Sequence, residues 1–191
     1  APGDEVLGWS WTRSSQATEV IVPAEQLISK PTDLSWEAAG SLYVVGVTAF
    51  AAVRAVDISE GDTVVVSAAA GGVGTITVQL LKVGGANVVG LASADHHDWL
   101  REKGVTPVAY GEGVMQRILE ATPDGIDAFI DLYGPEYIDL ALELDVPAAK
   151  IETIISYERA QEVGAKMEGS AEGTSPEILK EMAELVAAGK I

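Results

Sequence analysis

The chain has 191 residues, 48% of them hydrophobic, enough to bury a core within one main domain. Its net charge is −17, from 29 acidic and 12 basic residues, and no basic patch or arm is present to grip a nucleic-acid backbone. The absence of cysteine rules out disulfides and thiolate metal ligands within these residues.

In chain order, Pro2-Gly3-Asp4 reads as a turn, 5–9 (EVLGW) as a short strand and 18–22 (TEVIV) as another, closed by Pro23. A β region that begins in mid-pattern is expected to be the remnant of a separate domain, over 1–34. Residues 35–191 then form the main one. Ser35 is an N-cap for a helix reaching about Val56, with breaks at Gly40 and Gly46. The apolar run 42–53 inside it is interrupted by Gly46 and Thr48 and is too short to cross a bilayer. No signal-peptide pattern opens the chain, so a cytoplasmic protein without a membrane partner is expected.

The polar turn 57–62 (DISEGD) leads into 63–66 (TVVV), a β-branched run suited to a strand covered on both faces. Gly71, Gly72 and Gly74 follow, then Val73, Ile76, Leu80 and Val83 at helical spacing, with Gly84-Gly85 as the stop. Residues 87–93 (NVVGLAS) supply a second strand and complete a βαβ unit. A helix over 95–103 ends at Gly104, and 107–110 is a third strand. A helix over 114–121 and a fourth strand over 126–133 come next. Pro135 suits the first turn of a helix over 136–144. A fifth strand is expected over 149–155, a sixth over 166–168 and a last helix over 176–188. This alternation predicts an α/β fold, a doubly wound parallel sheet in Rossmann order 3-2-1-4-5-6.

A strand, a glycine turn and a helix place free backbone N–H groups and a positive dipole end above the strand tip, the geometry of a pyrophosphate site. Aligned on G-x-G-x-x-G, Gly71 and Gly74 fit and Ala69 takes the first position. The glycines alone also describe an ordinary β-turn-α junction; the second strand favours the dinucleotide reading. Enzymes that use NAD place a carboxylate at the end of that second strand. Here Ser93 stands there and leaves room for a 2′-phosphate, while Asp95 would repel one. His96, His97 and Arg101 are the available cations, and each equally suits a solvated surface.

Several segments together resemble the zinc-independent branch of the medium-chain dehydrogenase/reductases, the quinone oxidoreductase-like enzymes that use NADPH. They are Pro2 to Val6 (PGDEV), Gly46 to Ala49 (GVTA), Ala69 to Gly74 (AAGGVG), His97 to Arg101 followed by Gly104, Asp124 to Ala128, and Asp131 to Gly134. The resemblance implies a nucleotide-binding domain with a remnant of a GroES-like catalytic domain, and NADPH as cofactor. It implies hydride transfer to a quinone or an α,β-unsaturated carbonyl, and a homodimer joined at the sheet edge near 166–168. The cofactor residues it implies are Thr48, Ala70, Gly71, Gly72, Val73, Gly74, Ser93, Tyr110, Leu132, Tyr133 and Gly134. No metal ligand and no catalytic acid are assigned. Thr48 could equally bond its own helix backbone. Tyr43, where the family has proline, is either a proton donor or a core aromatic. A non-catalytic NADPH-binding scaffold and an enoyl reductase module of a larger synthase remain as alternatives.

Overall fold

The structure, a computed structural model, describes residues 1–12 and 15–191. Two short strands, β1 (Val6–Gly8) and β2 (Leu27–Ser29), pair antiparallel. The long helix α1 (Trp36–Ala55) leads to β3 (Thr63–Val66), α2 (Gly72–Val83) and β4 (Asn87–Ala92). Then come α3 (His97–Glu102), β5 (Thr106–Ala109), α4 (Val114–Ala121), β6 (Ala128–Asp131) and α5 (Pro135–Glu143). The chain closes with β7 (Ile151–Thr153), α6 (Tyr157–Val163), α7 (Ser170–Gly173) and α8 (Pro176–Ala187).

Strands β3 to β7 form one parallel sheet in the order β5-β4-β3-β6-β7. Counted from β3, that is the expected 3-2-1-4-5. The sixth strand expected over 166–168 shrinks to a single parallel bridge between Lys166 and Glu152. Gly164, at φ +78°, and the N-cap Gly169 confine it from either side. The strand expected over 18–22 does not form, and Ile21 is fully open to solvent. The alternating pattern there has no neighbour to pair with, because Leu27–Ser29 takes the edge of β1.

The run TVVV is buried because the sheet is covered twice. Val64 and Val66 pack with Val78 and Leu81 of α2 and Leu100 of α3. Val65 points the other way, to Ile118 of α4 and Ile138 of α5. A third cluster joins Leu7, Trp9 and Leu34 to Leu42 of α1 and to Leu179 and Met182 of α8, so the N-terminal ribbon shares a core with the main unit.

Helix α1 begins as expected, with the Ser35 hydroxyl accepting from the Ala38 N–H. It does not break at either glycine. At Gly46 a side chain would meet Leu42 Cδ1 at 3.0 Å and Met182 Cγ at 3.5 Å, so this glycine permits close packing of α8. By length and composition α1 could cross a membrane, but its buried residues Leu42, Val47, Ala49, Ala51 and Ala52 lie in a helix packed against α2, α7 and α8. Its 20 residues span about 30 Å, roughly twice the length of β3. Lys150, just before β7, donates to the carbonyls of Val56 (2.8 Å) and Asp57 (2.6 Å) and pins the lower end of α1 at the start of the sheet. The N-terminal half of α1 therefore rises beyond the strand tips.

Glu152, in the middle of β7, is 0% exposed, and neither carboxyl oxygen has a hydrogen-bond partner. Burial pushes its carboxyl up to about 9; Glu168 and Glu172 add repulsion, and Lys166 opposes them. The folded chain thus keeps Glu152 neutral, while the unfolded chain ionises it above the ordinary 4.5. Its contribution to stability is whole below that value and is lost as pH rises toward 9. Urea melts should show the native chain losing stability between pH 5 and 9, and Glu152→Gln should flatten that slope by about 1–3 kcal/mol over the interval. An unchanged slope in the variant would contradict the assignment.

Candidate functional site

The carboxyl ends of the strands form the crevice where an open α/β sheet binds ligands. At the tip of β3 the chain turns through Ser67, Ala68 and Ala69 into α2. Ala68 sits at φ +46°, a left-handed conformation costly for a residue with a side chain. A Cβ on Gly74 would stand 2.1 Å from the Ala68 carbonyl oxygen, so α2 can lie this close to the turn only with glycine there. Ala69 at the first motif position is accommodated by Gly90 of β4, where a Cβ would come within 2.9 Å of the Ala69 Cβ. Gly71 caps α2 without a side-chain hydrogen bond, and Gly71 and Gly72 are exposed. The first N–H groups of a 12-residue helix thus face the crevice with their dipole end.

The tip of β6 is held by one buried carboxylate. Asp131 Oδ1 accepts from the Ser67 hydroxyl (2.9 Å) and from the N–H groups of Tyr133 (2.9 Å) and Gly134 (3.1 Å). Its Oδ2 accepts from the hydroxyls of Thr153 (2.8 Å) and Ser156 (3.2 Å). The Ser67 hydroxyl in turn accepts from the Leu132 N–H at 2.8 Å. Three strand tips, those of β3, β6 and β7, are thereby tied to one side chain.

The expected cofactor residues fall at three places. Ala70, Gly71, Gly72, Val73 and Gly74 make the turn and first helical residues at β3. Leu132, Tyr133 and Gly134 make the β6 loop, one hydroxyl away through Ser67. Ser93 and Tyr110 stand at the tips of β4 and β5. Tyr110 and Tyr133 bring their rings to 6.4 Å between centroids, and Tyr133 meets Tyr137 edge-on at 5.6 Å. Burial, with Tyr133 adding to it, raises the Tyr110 phenol, and burial pushes Tyr137 up to about 12, so both remain O–H donors near neutrality. Arg117 of α4 shapes the Tyr110 loop by donating to the carbonyls of Ala109, Tyr110, Gly111 and Glu112.

Thr48 is buried, and its hydroxyl donates to the Val44 carbonyl at 2.6 Å, a bond to its own helix. Tyr43 stacks on Trp9 with centroids 5.2 Å apart and shares a 2.9 Å hydrogen bond with Thr174. Near Ser93, His97 Nε2 lies 3.2 Å from the Ala92 carbonyl, while Arg101 pairs with Asp98 at 2.7 Å. Ser67, Asp131, Thr153 and Ser156 were not singled out as site residues by sequence reasoning; a carboxylate ending an apolar strand was the available signal. Among the described residues no group of three or more His, Asp or Glu is placed to hold a metal ion.

Residues 72–188 match the zinc-binding dehydrogenase family, a match over more than half of the chain. The chain belongs to this family. It is 34% identical over 139 residues to the human synaptic vesicle membrane protein VAT-1 homolog, covering 71% of this chain and 35% of that protein. It is 32% identical over 151 residues to the putative NADP-dependent oxidoreductase YfmJ of Bacillus subtilis, covering 74% and 43%. The solved quinone oxidoreductase of Coxiella burnetii superposes with a TM-score of 0.71 at 28% identity, over 88% of this chain and 55% of that one. The chain thus spans well under half the length of these two curated relatives. The segment before β3 contains no Cys or His.

Asp131→Asn should cost about 2–4 kcal/mol in urea unfolding, because one of its oxygens becomes a donor facing hydroxyls and N–H groups already donating. A loss below 0.5 kcal/mol, roughly that of a surface substitution, would contradict its place as the tie between strands.

Proposed function

We propose that the protein to which these residues belong is an NADPH-dependent oxidoreductase that delivers hydride, without zinc, to a quinone or an α,β-unsaturated carbonyl. The observation that carries this reading is the open N-terminus of α2 over the glycine turn, facing the Asp131-held loop across one crevice. The names of the relatives, a putative NADP-dependent oxidoreductase and a quinone oxidoreductase, support it.

In this reading the amides of Gly72, Val73 and Gly74 take the pyrophosphate, and glycine keeps side chains out of its way. Ser93 leaves space for the 2′-phosphate, and Tyr110 offers a phenolic donor and a ring face to the adenosine half. Leu132, Tyr133 and Gly134 underlie the ribose and nicotinamide half. The cofactor supplies the hydride. An acceptor already polarised by conjugation takes hydride with its own oxygen receiving the charge, which is the chemistry of the proposed reading. We also propose a cytoplasmic location and a homodimer formed along the edge beyond β7.

Fluorescence titration of the chain with NADPH and, separately, NADH tests the cofactor choice through its four tryptophans. NADPH should bind about tenfold more tightly or better. Equal affinity would mean that the 2′-phosphate is not recognised and that Asp95 governs the site. The chain alone should show no steady-state reductase activity.

A further inference from the structure

At the β4–β5 end of the crevice stands a guanidinium with no part in the chemistry described so far. Arg117 of α4 is partly buried and reaches back past the start of its own helix to the loop after β5. Its Nε donates to the Ala109 carbonyl at 3.2 Å. Its two terminal nitrogens donate to the carbonyls of Ala109 (2.9 Å), Tyr110 (3.0 Å), Gly111 (3.3 Å) and Glu112 (2.8 Å). Four successive carbonyls thus converge on one side chain. A rigid planar fork with five N–H donors can serve such a set; the compact ammonium of lysine cannot span it.

The loop depends on this restraint. Strand pairing ends at Ala109, and beyond it Gly111 (φ +91°) and Gly113 (φ +75°) take left-handed conformations that leave the backbone little intrinsic preference of its own. The residue carried at the start of the loop is Tyr110, 37% exposed, whose phenol burial keeps as an O–H donor.

The charge of Arg117 is also uncompensated. Arg54, Arg101 and Arg159 each pair with a carboxylate, whereas among the described residues Arg117 pairs with none. Carbonyl oxygens solvate a guanidinium without neutralising it, so a full positive charge persists at this tip in a chain of net charge −17. Ala92 of β4 lies beside Ala109 of β5, which makes Ser93 and Tyr110 neighbours at the strand tips and puts the guanidinium about 10 Å from Ser93. Of the cations expected near Ser93, Arg101 is paired with Asp98, and His97 faces the Ala92 carbonyl. Asp95, exposed two residues after Ser93, adds negative charge.

We infer that Arg117 is a positioning residue for the 2′-phosphate of NADPH: it fixes the Tyr110 loop so that the phenol can donate to that phosphate, and it offsets Asp95 with an unpaired positive charge. This assignment rests on the proposed NADPH reading and adds the residue that sets how strongly NADPH is preferred over NADH. Arg117 touches only carbonyls of the loop and acts through Tyr110 and through its field. NADH, lacking the phosphate, should be nearly indifferent to it.

Fluorescence titrations with NADPH and with NADH, on the unsubstituted chain and its variants, test this. Arg117→Gln should weaken NADPH about tenfold and leave NADH within about twofold. Arg117→Lys, which keeps the charge and loses the fork, should weaken NADPH about threefold. Tyr110→Phe should weaken NADPH about fivefold, and combining it with Arg117→Gln should cost less than the product of the two losses, because one residue acts partly through the other. Equal losses of NADPH and NADH in Arg117→Gln, as a merely structural support would give, would overturn the inference. Unchanged NADPH affinity, or losses that multiply in full in the double variant, would overturn it too. If Arg117→Gln has no cooperative urea transition, Arg117→Lys decides by the same criterion, a loss confined to NADPH against an equal loss of both cofactors. An unsubstituted chain that binds neither cofactor, or both equally, would overturn the NADPH reading and this inference together; a preference that survives in the variants would overturn this inference alone.

Discussion

One buried carboxylate organises the upper end of the sheet. Asp131 receives two backbone N–H groups and three hydroxyls, and those donors come from the tips of β3, β6 and β7. A carboxyl group in a dry interior is tolerable only when its oxygens are hydrogen-bonded this completely. The arrangement fixes the β6 loop relative to the glycine turn, because Ser67 bonds Asp131 with its proton and Leu132 with its lone pair. Backbone pairing between the two strands ends at the Ser67 N–H bond to the Ile130 carbonyl, and this link carries the connection on into the loop.

The second constraint is the length of α1. A helix about twice as long as the strand it precedes, pinned at its lower end by Lys150, has to stand above the sheet. That projection brings the N-terminal aromatic residues beside the crevice. Tyr43 illustrates the division of labour: its ring and hydroxyl are spent on Trp9 and Thr174, and burial raises its phenol by more than the Thr174 bond lowers it. Its place is in the packing between the N-terminal ribbon and α1.

Much of the fold was legible in the sequence because its periodicity is strong. The run TVVV, the glycine turn and the following helical spacing specify a buried strand feeding a helix N-terminus, and the sheet order follows from right-handed crossovers. Local alternation misled at 18–22, where TEVIV has strand composition but no free edge to join. Both glycines of α1 looked like breaks; Gly46 acts as a close-packing position beside Met182 of α8, while Gly40 has open space around it. Helices α6 and α7 escaped notice because each is short and carries little apolar pattern. Within the site, the glycine turn and the β6 loop could be read from motifs. The approach of Tyr110 to Tyr133 and the convergence on Asp131 could not, since sheet order alone brings these distant residues together.

Amide hydrogen exchange with and without NADPH bears most directly on the claim that one crevice, framed by α2 and the Asp131-held loop, receives the dinucleotide. The account predicts slowed exchange at Gly72, Val73 and Gly74 together with Leu132, Tyr133 and Gly134, and little change at the lower ends of the strands. Protection confined elsewhere, or none at saturating NADPH, would contradict it.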